Sequence, residues 1–258
     1  DDESSTRFAP GENSQMKAVL IVGPLQDGTR SAMKEMDKLA ALFKEQGVAT
    51  QTFYDNGAKW DLIKTAAKGA HFFVYSGHGI YGGEGGTAGG LCIKEWVFAE
   101  TLIEELELHP GALVIFKSVC MGAGSSAGDR GAISLEEATT RVADYSSAFF
   151  KAGAGCYYAN NLGDGCYDFL DDFFEGKPVQ ECFETSAKTW AKIESHHKMA
   201  PGDERYLGIA SIDWGGKSTL TTYTNGVKKV RQVKNSKSYS IAYVGKPSYS
   251  ISALRQIN

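Results

Sequence analysis
Residues 70–79 read AHFFVYSGHG: an apolar run interrupted only by His71, then a serine, then glycine, histidine, glycine. A short apolar run closed by glycine reads as a strand buried on both faces, the kind found in parallel sheets covered by helices. The pattern recurs on either side. KAVLIVGP at 17–24 and ALVIF at 112–116 are further apolar runs, and 48–54 and 153–160 read as two more strands. Between them, apolar residues fall at helical spacing: Met33, Met36, Leu39, Ala40 and Phe43 over 31–46, stopped by Gly47; then Trp60, Ile63, Ala66 and Ala67; then 95–108; then Leu135, Ala138, Val142, Tyr145 and Phe149 over 134–151. Two helices fit 166–175 and 178–195, 91–93 reads as a short edge strand, and 206–212 reads as a sixth main strand. Strands alternating with helices predict βαβ units with right-handed crossovers, hence an α/β fold around a mostly parallel six-stranded sheet.

The last 44 residues differ in pattern and charge. Residues 220–224 and 227–233 flank Asn225-Gly226, a type I′ hairpin signal, and 238–244 and 249–254 read as two more strands. This predicts a C-terminal β-meander extension, too short for a sandwich of its own and packed on the main domain. The expected organisation is a lead-in over 1–16, an α/β domain over 17–214 and the extension over 215–258. Net charge is −4, yet 215–258 holds eight Lys or Arg and no acid, against 19 basic and 31 acidic residues before it. The extension is either a solvated basic appendage or a clamp on an acidic partner or on the acidic main domain. The balance argues against a nucleic-acid partner, and no run of 18 apolar residues predicts a transmembrane segment. The chain starts Asp1-Asp2-Glu3-Ser4-Ser5 without methionine. This is read either as a processed start, with export or lipid anchoring at the cell surface, or as an ordinary boundary of a cytoplasmic protein.

In an open parallel sheet, ligands bind at the carboxyl ends of the strands. Two reactive side chains fall there. His78 follows the third main strand and Cys120 follows the fourth, 42 residues later. If the two strands are neighbours, thiol and imidazole face one crevice. A cysteine beside a histidine is the minimal thiol nucleophile: the thiolate attacks, and the imidazole takes and returns the proton. The backbone N–H groups of Gly79 and Cys120 would hold an oxyanion. The other cysteines, Cys92, Cys156, Cys166 and Cys182, read as buried thiols, with a disulfide among the last three an option in an exported protein. Neither the cysteines nor the adjacent His196 and His197 have zinc spacing, and no metal or cofactor is expected. The glycine-rich segment GIYGGEGGTAGG at 79–90 lacks the order of a phosphate-binding loop and is read as a mobile loop, a candidate lid. Asp164, in the turn after the fifth strand, is either a pocket acid or an ordinary turn residue. Asp129-Arg130 reads as a surface ion pair or a processing site.

Val74-Tyr75-Ser76-Gly77-His78-Gly79 resembles the catalytic-histidine block of the caspase-like (clan CD) cysteine peptidases, which include metacaspases, clostripain-like and gingipain-like enzymes and the CHAT domains. LVIFKSVCMG at 113–122 resembles their cysteine block, and Phe150-Lys151-Ala152-Gly153-Ala154 with Asp164, Phe169, Phe173 and Gly176 is similar to the segment that follows it. The resemblance covers 17–214. It implies a three-layer caspase-like fold and a cysteine endopeptidase acting on a protein or peptide through an acyl-enzyme. His78 would be the base, Cys120 the nucleophile and Gly79 an oxyanion donor. Metacaspases and clostripain-like enzymes carry an aspartate two residues before the cysteine to bind a basic P1 side chain; Ser118 stands there instead. Ser118 and Asp164 are therefore the candidate pocket residues, with no P1 preference implied. The alternatives are a catalytically weak binding or regulatory module of the same fold, and a flavodoxin-like binder of a nucleotide or small molecule.

Overall fold
A computed structural model describes residues 13, 15–80, 89–129, 131–215, 218–224, 227–233 and 237–257. In chain order the elements are β1 (Lys17–Val22), α1 (Thr29–Glu45), β2 (Ala49–Tyr54), α2 (Trp60–Ala67), β3 (Ala70–Ser76), β4 (Gly90–Cys92), β5 (Trp96–Phe98), α3 (Ala99–Glu105), β6 (Leu108–Lys117), α4 (Leu135–Lys151), β7 (Ala154–Asn160), α5 (Gly165–Phe174), α6 (Val179–Trp190), β8 (Lys192–Lys198), β9 (Tyr206–Asp213), β10 (Ser218–Thr224), β11 (Val227–Val233), β12 (Lys237–Gly245) and α7 (Ile251–Gln256). The main sheet runs β2-β1-β3-β6-β7-β12-β9-β8. Its first five strands are mutually parallel, and β12, β9 and β8 add antiparallel pairings.

Side-chain alternation along the central strands makes two cores, one on each face. Val19, Ile21, Phe73, Tyr75, Val114, Phe116 and Tyr157 meet Trp60 and Ile63 of α2, Leu102 of α3 and Val142, Tyr145 and Phe149 of α4. Leu20, Phe72, Val74, Leu113, Ile115 and Tyr158 meet Met36, Leu39 and Phe43 of α1, Phe169 and Phe173 of α5, Phe183 of α6 and Leu254 of α7. The result is a three-layer α/β molecule. Helix α4 starts where expected because Ser134 caps it, its Oγ accepting from the Glu137 N–H at 3.0 Å. Among the described residues no helix is long and apolar enough to cross a membrane.

The sheet has eight strands, not the expected six. Residues 192–198, of which 192–195 were expected as the end of a helix, form β8, because the chain turns extended at Ala191 and pairs along β9. The larger correction concerns the expected C-terminal β-meander. Strand β12 enters the main sheet between β7 and β9, with Tyr239, Ile241, Ala242, Tyr243 and Val244 all at most 2% exposed. Residues expected as a strand at 249–254 instead include the start of α7, whose Ile251 and Leu254 are buried at helical spacing. Of the C-terminal strands described, β10 and β11 stand outside the main sheet as a hairpin, and earlier in the chain β4 and β5 form a second separate pair. The helix expected over 95–108 is shorter, because Trp96, Val97 and Phe98 alternate exposed, buried, exposed and pair with β4 before α3 begins.

Candidate active site
Strands β3 and β6 are adjacent and parallel, with Tyr75 opposite Phe116. The two carboxyl-end loops that follow them therefore leave side by side. The loop after β3 carries half-buried His78, and the loop after β6 carries Cys120, also partly buried. The loops touch at the backbone. A Cβ added to Gly79 would lie 2.0 Å from the Cys120 carbonyl oxygen, so only glycine allows this approach. One at Gly77 would lie 2.1 Å from the Tyr75 hydroxyl, because that ring folds back over the loop. Burial lowers the His78 pKa below 6.5, which favours the neutral imidazole.

The turn around Cys120 is strained on both sides. Ser118 and Met121 have φ of 57° and 67°, in the left-handed region, at a typical cost of about 1–2 kcal/mol each for non-glycine residues. Hydrogen bonds hold the turn in place. Ser118 N–H donates to the Asn160 carbonyl at 3.1 Å, Gly122 N–H to Val119 at 3.1 Å, Gly124 N–H to Met121 at 3.0 Å and Met121 N–H to Ser125 at 2.8 Å. Ser125 is in turn fixed by β12: its N–H donates to the Tyr239 carbonyl at 3.2 Å, and its hydroxyl accepts from the Tyr239 N–H at 2.9 Å. The C-terminal segment thus braces the loop that presents Cys120.

Three buried tyrosines serve the same loops. Tyr75 accepts from the Cys92 N–H at 3.0 Å and shares its proton between the carbonyls of His78 at 2.9 Å and Cys92 at 3.0 Å. Tyr145 of α4 accepts from the Ile80 N–H at 2.5 Å and reaches the Ile80 carbonyl at 3.2 Å. Tyr157 of β7 donates to the Gly122 carbonyl at 2.9 Å. All three rings surround Phe116 at centroid distances of 5.3–5.6 Å. Burial raises all three phenol pKa values, so the hydroxyls keep their protons. The sequence reading missed these anchors. Their signal was a tyrosine at positions where a phenylalanine would fill a dry core, since a buried phenol needs a partner.

Ser118 is exposed beside Cys120. Asp164 lies on the α1–α5 side, where its carboxylate meets Lys38 of α1 at 3.2 Å, and Lys38 holds it below its ordinary pKa. Nearby, Lys117 is buried with its ammonium on the Gly163 carbonyl at 2.7 Å. Cys92 forms an isolated antiparallel bridge with His78, and Trp96, paired with Cys92, is 63% exposed. All five cysteines are free thiols. Burial raises the pKa of Cys92, Cys156 and Cys182, and takes that of Cys166 up to about 12. Asp129 accepts from Arg141 at 3.0 Å, and Arg130 lies outside the described residues. Most of the glycine-rich segment read as a candidate lid, 81–88, lies outside them too. No protein-family model matches the chain, and no curated protein matches it.

Proposed function
We propose that the chain is a caspase-like cysteine endopeptidase with Cys120 as nucleophile and His78 as base. One observation carries the reading: His78 and Cys120 follow the carboxyl ends of adjacent parallel strands, on loops in direct backbone contact at Gly79 and Cys120. A strained nucleophile turn and a histidine kept neutral by burial support it. In this reading His78 takes the thiol proton as Cys120 Sγ bonds to the scissile carbonyl carbon. The oxyanion rests against the Gly79 and Cys120 N–H groups. The C–N bond then breaks, and His78 returns the proton to the departing amine. Water attacks the thioester carbonyl, gives its proton to His78, and the thiolate leaves. The chemistry needs no cofactor.

The test joins a cleavage profile on a peptide library to alkylation by iodoacetamide. Cys120 is expected to label first, and Cys120→Ala and His78→Ala to abolish hydrolysis. First labelling of another cysteine, or hydrolysis that survives Cys120→Ala, would overturn the assignment. A Cys120 that labels first in a protein that cleaves no peptide would instead mark a binding module of the same fold.

A further inference from the structure
The hairpin β10–β11 rises from the end of the sheet that carries His78 and Cys120. Strand β12 runs antiparallel to β7, with Ile241 opposite Asn160 at the carboxyl end of β7, and Lys237 of β12 pairs with Asp213 of β9. Both feet of the hairpin therefore stand at the carboxyl end of the parallel strands. One foot is tied to the nucleophile loop through Tyr239 and Ser125. Near the turn at the other end, the Lys228 ammonium approaches the carboxylate of Asp27, in the loop after β1, at 3.9 Å. In the sheet β12 and β1 are separated by β7, β6 and β3. Four strand spacings amount to roughly 19 Å, and a seven-residue strand spans about 23 Å. The hairpin is thus long enough to cross the ends of β7, β6 and β3, the last two carrying Cys120 and His78.

Its chemistry is one-sided. Residues 217–236 contain Lys217, Lys228, Lys229, Arg231 and Lys234 and no acid. Val227, Lys228, Lys229 and Val230 of β11 are all exposed. The two strands pair only with each other, so each has an edge without a strand partner among the described residues. Such an edge accepts an extended peptide as an added strand. We infer that β10–β11 is a basic arm that binds an extended acidic segment of the substrate and guides it across the carboxyl end of the sheet toward Cys120. The inference rests on the peptidase reading and narrows it to acidic peptide substrates.

The experiment measures binding of fluorescein-labelled decapeptides, either rich in Asp and Glu or neutral, to the Cys120→Ala protein. It also measures cleavage of the same peptides by the unsubstituted chain. The acidic peptide is expected to bind about tenfold tighter than the neutral one, and Lys228→Glu with Lys229→Glu to remove that preference, as for two exposed charges turned from attraction to repulsion. Added salt is expected to weaken the acidic complex selectively. Replacement of 214–236 by Asn-Gly is expected to act like the double charge reversal. Equal binding of the two peptides, or a preference that survives both variants, overturns the inference. Faster cleavage of both peptides alike after hairpin removal also overturns it, in favour of a covering flap. Cleavage without charge preference leaves the peptidase standing and removes the arm. Lysine-dependent binding of acidic peptides with no cleavage of either keeps the arm and removes the peptidase.

Discussion

In the proposed peptidase, His78 and Cys120 carry the chemistry, and their surroundings set its pH range. Burial lowers the His78 pKa, so the neutral form persists below 6.5 as acid is added. An imidazole that must be neutral to accept the thiol proton then loses function only below that pH. The acid limb of kcat/KM on a peptide, or of Cys120 alkylation, is expected below pH 6.5, and a midpoint at or above it would show that His78 is not the titrating base. Tyr75, with no exposed surface, positions the same loop from inside the core. Tyr75→Phe removes the hydroxyl that bonds the His78 carbonyl and both backbone groups of Cys92. Leaving buried backbone groups without partners costs about 1–3 kcal/mol, readable by urea unfolding. With the loop loosened, kcat is expected to fall while KM changes little, and an equal rise in KM with no change in kcat would place Tyr75 in substrate binding instead. The placement of His78 and Cys120 after the carboxyl ends of two strands was legible because β3 and β6 are unbroken enough as apolar runs to mark where each strand stops. The tyrosine anchors were not, because each also bonds a backbone group far along the chain, 17, 65 and 35 residues away.

Among the elements, the parallel strands β1, β3, β6 and β7 were readable because each is apolar on both faces, and α1 and α4 because one stripe is. The sequence could not show which strand neighbours which beyond these βαβ units. The segment IAYV at 241–244 is mostly apolar, yet it follows a basic hairpin, and its charged surroundings drew it into the reading of a separate tail. Its burial between β7 and β9 is a long-range choice made by packing, which also sets its contact with the nucleophile loop. That contact is testable at Ser125, a residue that local pattern gives no reason to notice. Ser125→Ala removes the acceptor of the buried Tyr239 N–H and is expected to cost about 1–3 kcal/mol. Amide hydrogen exchange should rise at Tyr239 and over Met121–Ser125, with little change in α1. Unchanged exchange in that loop would mean that β12 does not brace it.

For the whole molecule, the chain closes its sheet last. Residues that begin the C-terminal 22, from Lys237 onward, supply an interior strand and a helix that covers one core. Ile241, Tyr243 and Val244 of β12 and Ile251 and Leu254 of α7 have no exposed surface. Burying each such side chain is worth about 1.5–3 kcal/mol, so five together match the whole net stability of an ordinary domain, about 5–15 kcal/mol. A chain ending at residue 236 is therefore expected not to fold, and to lack a cooperative melt and near-ultraviolet circular dichroism. The hairpin just before it predicts the opposite outcome. Strands β10 and β11 pair only with each other, and Lys228 with Asp27 is an exposed contact worth about 0–1 kcal/mol. Asp213 and Lys237 already face each other as neighbours, so an Asn-Gly turn in place of 214–236 closes the gap with the geometry of a two-residue hairpin. That shortened chain is expected to melt cooperatively, within a few degrees of the full chain. Removing the end of the chain thus destroys the fold, while removing a similar number of residues from the middle leaves it. If both chains failed to fold, the hairpin would belong to the core; if both folded, β12 would be dispensable and the eight-stranded sheet would not describe the folded unit.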